Sequence, residues 1–175
     1  MNIRKTLRSD RSEVARIYRT AWEGTEGIAR RPHEITETYI FSLLNKEEDQ
    51  IVSLVAENEE GEIIGVIHAV KDGLEAHDHI ISDLTIIIHP DWQRKGVAKA
   101  LGFAFLNHIT EKRQDVMRVE MALPTKITTV DAFKNEGFVE EGKIANRFRN
   151  PDGTFQDILL LAWINPNFDP DYHKS

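Results

Sequence analysis

"IIIHPDWQRKGVAKAL", residues 86–101, passes from a β-branched run into a helical one. The turn between them holds Gln93, Arg94, Lys95, a glycine at 96 and only an alanine at 98. An anion such as phosphate needs several N–H groups aimed at one point, and a helix N-terminus supplies them with the positive end of its dipole behind. A bulky side chain at closest approach would hold the anion away, so glycine or alanine belongs there. Gly96 and Ala98 meet that need, and Arg94, Lys95 and Lys99 add positive charge. A plain polar strand-to-helix turn explains the same residues. A nucleotide P-loop does not, since G-x-x-x-x-G-K-[ST] is absent, and no G-x-G-x-x-G occurs.

Outward from the turn the chain reads as mixed α/β. "HIISDLTIIIHP" (79–90) is a strand, apolar on both faces toward its end and so central in a sheet. "GVAKALGFAFLNHITEKR" is a long helix. Upstream, "NIRKTLR" alternates like a strand, and Val14, Ile17, Tyr18 and Ala21 share one helical face after cap-type residues. A second helix is expected over "PHEITETYIFSLLNK", with Pro32 in its first turn. "IVSLVAENEEGEIIGVIHAVKDG" reads as a hairpin. Downstream come the strand "VMRVEMAL", a short helix in "TTVDAFKNEG", and a closing hairpin about "NPDG". One domain over residues 1–165 is expected, with 166–175 as a flexible tail.

Composition limits the chemistry. The 175 residues are 41% apolar and 29% charged, as in an ordinary globule. Acidic residues outnumber basic ones 29 to 22, giving a formal charge of −7. That argues against nucleic acid or an anionic membrane as partner. There is no cysteine, so thiolate ligands and nucleophiles are excluded. "HDH" at 77–79 lacks further ligand spacing and reads as a solvated loop, so no metal is expected. His89 and His108 are read as flanking the turn and capping the helix. No apolar run is long enough to span a bilayer. A cytoplasmic location is expected.

The residues also carry a resemblance. "IIIHPDWQRKGVAKAL" is similar to the coenzyme A signature of the GNAT superfamily of N-acetyltransferases. The pattern Q/R-x-x-G-x-G/A is met by Gln93, Gly96 and Ala98, after an apolar triplet and x-P. "AFKNEGF" resembles its second landmark, an aromatic ahead of a Gly-Phe pair. The order of elements matches along nearly the whole chain.

The resemblance implies a mostly antiparallel twisted sheet, splayed between its fourth and fifth strands and flanked by about four helices. It implies acetyl-CoA as co-substrate, lying in the gap. Backbone groups of Ile86, Ile87 and Ile88 would pair with the pantetheine arm, and the turn with Gln93, Arg94, Lys95, Gly96, Val97, Ala98 and Lys99 would hold the pyrophosphate. A backbone N–H freed by an irregularity in the Leu84–Ile88 strand would serve the oxyanion. For the base, Glu120 is the first choice and Asp83 the second. Relatives often have tyrosine where this chain has Phe133, and an asparagine where it has "PTKITTV". Thr125 or Lys126 would then make that cofactor contact, or the contact is missing. A phenyl ring donates no proton, so a non-catalytic CoA-binding sensor or regulatory protein is the rival reading. The segment Trp22–Glu34 is expected to shape the acceptor pocket. Glu23, Glu26 and Glu34 would favour a polyamine or lysine, whereas Arg30 and Arg31 would favour a carboxylate. A homodimer is a further expectation.

Overall fold

Strands β2 (Ile51–Glu57) and β3 (Ile63–Val70) carry apolar side chains on both faces, so both faces must be covered. The computed structural model, which describes residues 1–22, 30–125 and 130–172, covers them with helices on either side. Its seven strands run in the order β1-β2-β3-β4-β5-β7-β6. They include β1 (Asn2–Lys5), β4 (Ile80–Ile88), β5 (Arg118–Pro124), β6 (Val139–Arg149) and β7 (Phe155–Ile164). Every neighbouring pair is antiparallel except β4 with β5. Helix α1 (Arg11–Trp22) and helix α2 (Glu37–Leu44) lie on one face of the sheet, and α3 (Val97–Lys112) lies on the other. A short helix, α4 (Val130–Asn135), follows β5.

The face of α1 read from periodicity is the face it buries. Val14, Ile17, Tyr18 and Ala21 pack with Val55, Val66 and Ile87 from the sheet. The second helix begins later than Pro32. Residues Pro32–Glu34 form a 3₁₀ turn, and Thr36 then caps α2 by accepting a hydrogen bond from the Tyr39 N–H. A threonine hydroxyl at that position satisfies a first-turn donor that the 3₁₀ turn cannot.

Residues beyond β7 return to the end of α3. The Asn165 side chain donates to the Val116 carbonyl, the Asp169 N–H to Gln114, and the Tyr172 hydroxyl to Lys112. These bonds occupy carbonyls at and beyond the helix C-terminus, which otherwise lack intrahelical partners. Polar composition and prolines, the signs of a frayed tail, carry no trace of such long-range bonds.

One glycine sets how closely α3 approaches the sheet. A Cβ on Gly65 of β3 would lie 2.9 Å from Ile88 Cδ1, 3.0 Å from Leu101 Cδ1 and 3.1 Å from Val97 Cγ1. The first turn of α3 therefore rests directly on the β3–β4 pair. Gly65→Val should force these methyls apart and destabilise the fold by about 1–3 kcal/mol, the usual cost of overpacking. Urea unfolding checks this; an unchanged midpoint would show that α3 does not rest there.

Candidate active site

Strands β4 and β5 share only two registered pairs, Ile80 with Arg118 and Ile81 with Val119. Beyond them β4 continues alongside β3 to Ile88, while β5 follows β7 to Pro124. A gap therefore opens along β4 from Ser82 onward. Its backbone is irregular at the start. Ser82 pairs with Val70 and Thr85 with His68, so Asp83 and Leu84 together face the single residue Ala69. Asp83 sits in the left-handed region at φ 55°. That is a β-bulge, and it frees and re-aims backbone groups at the mouth of the gap.

Ladder alternation decides which groups of β4 face the gap. The His89 N–H donates to Ile64 on β3. In an antiparallel ladder, the N–H groups two residues apart share a side, so Ile87 also points to β3. Ile86 and Ile88 then turn their N–H and C=O groups to the open edge. Ile87, expected to join them, is engaged on the other side, and its side chain is buried beneath α1.

At the far end of β4 the chain makes a tight turn. Residues Pro90–Trp92 form a 3₁₀ turn, Arg94 takes φ 58° and Gly96 takes φ 83°. The first α3 bond runs from the Ala100 N–H to the Gly96 carbonyl. The N–H groups of Val97, Ala98 and Lys99 precede that bond and have no helical acceptor. Arg94, Lys95, Ala98 and Lys99 are exposed, and Lys95 stands 5.0 Å over the Trp92 ring. Val97 contributes only its backbone, because its side chain is buried against the sheet. A Cβ at Gly96 would meet no protein atom within 4 Å, so the hollow above it is open. The glycine is required by its φ and keeps the approach clear.

On the α1–α2 face, a pocket of about 220 Å³ lies where the strands part. Glu120, Ser82, Ile80, Asp72 and His77 line it. Glu120 accepts a hydrogen bond from Arg118, which also forks onto Glu141 of β6, with Nη1 at 2.8 Å. His77 Nδ1 lies 2.6 Å from Asp72; that carboxylate, with Glu120 behind it, raises the pKa of His77. The loop read as merely solvated thus supplies a wall of the pocket. Asp83 is exposed at the bulge and outside this pocket, so the two candidate bases are not brought together. Among the described residues no cluster suited to a metal occurs.

Phe133 is half-buried on α4, edge-on to Phe138 at 5.8 Å. Thr125 is exposed at the end of β5 and donates its N–H to Asp157. Lys126, Glu23 and Glu26 lie outside the described residues. Arg30 stacks 3.8 Å over the Tyr39 ring, and Arg31 donates to the Arg149 carbonyl, joining the α1–α2 segment to β6.

Sequence reasoning passed over His68, which pairs with Thr85 beside the bulge. It is 3% exposed, its Nε2 shares a hydrogen bond with the Tyr18 hydroxyl, and its Nδ1 has no partner among the described residues. Burial first, and then Arg30, push its pKa down to about 4. The only sign in the sequence is a lone histidine within the apolar "IIGVIHAV".

Residues 23–148 match the family model of the acetyltransferase (GNAT) domain. Solved structures share the fold. A ribosomal-protein-alanine N-acetyltransferase from Brucella melitensis aligns with TM-score 0.79 and 21% identity, over 94% of this chain and 99% of that one. A ribosomal-protein-S18-alanine N-acetyltransferase from Escherichia coli aligns with TM-score 0.75 and 18% identity, over 99% of each chain. A Salmonella typhimurium structure holding its cofactor acetyl-CoA aligns with TM-score 0.80 and 16% identity, over 100% of this chain and 96% of that one. No curated protein matches the chain.

Two predictions follow from this geometry. Gly96→Val places a branched residue at a positive φ and over the open hollow. Acetyl-CoA affinity should fall at least ~10-fold, a loss of about 1.4 kcal/mol, with the fold retained. Titration calorimetry checks it; unchanged affinity would move the phosphates elsewhere. His68 gives the second. An unfolded histidine titrates near 6.5, whereas this one resists protonation down to about 4. Stability present above pH 6.5 should therefore drain away as the pH falls to about 4, by roughly 3 kcal/mol in all. His68→Gln should remove that slope in urea titrations. Equal slopes in both proteins would mean that His68 is protonated within the fold.

Proposed function

The chain belongs to the GNAT acetyltransferase family, and we propose that it moves an acetyl group from acetyl-CoA to a primary amine of a small molecule or peptide. One observation carries the reading: the open β4 edge runs straight into a left-handed turn at a helix N-terminus. A ligand with an amide-bearing arm and a phosphate group fits both at once, whereas ATP or NAD fits only the second. Acetyl-CoA, once bound, supplies an acetyl group activated as a thioester.

The chain's own groups do the rest. Ile86 and Ile88 hold the arm as an added strand would be held. The N–H groups of residues 97–99, with Arg94, Lys95 and Lys99, balance phosphate charge. The bulge at Asp83–Leu84 offers a backbone N–H to the developing oxyanion. An alkylammonium has a pKa near 10, so a carboxylate must take its proton. Glu120 does so, directly or through water; its place in the pocket at the split supports it over Asp83. Asp72 beside it adds negative charge that attracts a cation. The proposal includes a cytoplasmic location, a homodimer, and no nucleic-acid or membrane partner; among the described residues no helix is long and apolar enough to cross a membrane.

Phe133 favours a second reading, a CoA-binding sensor without turnover. Its ring packs on Phe138 and carries no hydroxyl. Yet a thiol has a pKa near 8.5, so releasing thiolate at about pH 7.5 lies only about one unit uphill, or ~1.4 kcal/mol. An acid is helpful there and not essential, which supports an enzyme. Free-thiol release with a panel of amines separates the readings: the enzyme turns over at least one, and a sensor none. With that amine, Glu120→Gln should lower kcat/KM by about 10²-fold, most severely at low pH. An unchanged pH–rate profile would transfer the role to Asp83 or to water.

A further inference from the structure

A second hollow, of about 500 Å³, opens far from the split. The end of β1, the start of β2, the loop after α2 and the C-terminal half of α3 enclose it. From the first turn of α3 to His108 is about 17 Å of helix axis, so the two sites stand apart. Leu7, Leu44 and Val52 give it an apolar wall, and the hydroxyls of Thr6 and Ser53, hydrogen-bonded to each other at 2.7 Å, also line it.

The charges around it do not balance. Arg8, Lys46 and Lys112 line the hollow, and none of them makes an ion pair among the described residues. Lys5 reaches Glu48 only at 3.5 Å, with both side chains mostly exposed. Glu47 is the other acid on the rim. Arg113 is fully engaged by Asp115 and by the carbonyls of Glu48 and Asp49, so it anchors the wall. Lys5, Arg8, Lys46 and Lys112 thus stand against only Glu47 and Glu48 on the rim, so positive charge is in excess about this hollow in a chain with 29 acidic and 22 basic residues. A bound anion would balance that excess.

We infer that this hollow is a second binding site, taking a small organic anion with two or more negative charges, of the phosphate-ester or polycarboxylate kind. The unpaired cations recognise the charge, the one hydroxyl of the Thr6–Ser53 pair whose O–H is not spent on the other donates to it, and the leucine wall takes an organic body. His108 reports on the site from α3. Burial, then Lys5 and Arg113, and more weakly Lys112, keep its pKa below the usual histidine value, with Glu48 opposing them. An anion held among these cations reverses part of that effect.

The test is an NMR titration of the His108 ring in the full chain, with phenyl phosphate, with citrate, and with chloride at matched ionic strength. Either organic anion should raise the His108 midpoint saturably, by about one pH unit. Phenyl phosphate acting alone identifies a phosphate-ester site, and citrate acting alone a polycarboxylate site. The double variant Arg8→Glu/Lys112→Glu should abolish the rise. The milder Lys46→Gln should weaken binding by about two- to fivefold and guards against misfolding of the first. No rise with either anion, an equal rise with chloride, or a rise that survives the substitutions would overturn the inference.

Discussion

Strands β4 and β5 share two registered pairs and are then claimed by different neighbours. That parting is the constraint on which the site depends. Parallel strands cannot be joined by a tight turn, so α3 carries the chain from β4 across one face of the sheet and back to β5. Past Ile81, β4 keeps its bonds to β3 and β5 keeps its bonds to β7. Unpaired backbone groups along β4 are costly to bury. They persist here because the gap is open, ready to receive something that supplies the missing partners.

The rest of the site is held to that edge by packing. Gly65 lets Val97 and Leu101 settle onto Ile88, which fixes the first turn of α3 at the end of the open strand. Left-handed residues at both ends shape the backbone: Asp83 at the bulge, Arg94 and Gly96 at the turn. Each non-glycine example costs about 1–2 kcal/mol. Such strain persists only where surroundings enforce it; Asp83 and Arg94 stand at the places that would meet the two ends of a long ligand, and a third such residue, Asn146, lies on β6. His68, held neutral between β4 and Tyr18, keeps this part of the sheet free of charge.

What was legible in the sequence was local. The turn announces itself through Gln93, Gly96 and Ala98, because glycine and small residues at a helix start have a local cause. The face of α1 was equally plain from Val14 to Ala21. What was hidden depends on partners far along the chain. Whether Ile86 or Ile87 faces the gap follows from the register of Gly65 with Ile88, and one residue of slip would reverse it. The Tyr18–His68 bond spans fifty residues. Resemblance points to Glu120, but its neighbours come from elsewhere: Asp72 from the end of the segment read as a hairpin, and His77 from a loop that the sequence offers only as polar. Thr36, a cap with an ordinary local cause, was masked by the more conspicuous Pro32.

Amide hydrogen exchange along β4 tests the central claim most directly. Without ligand, Ile87 should already be protected by β3, and Ile86 and Ile88 should exchange freely. Saturating acetyl-CoA should protect Ile86 and Ile88 together with residues 97–99, leaving Ile87 as it was. Protection of other segments, with Ile86 and Ile88 still exchanging freely, would contradict the account and place the cofactor outside the split between β4 and β5.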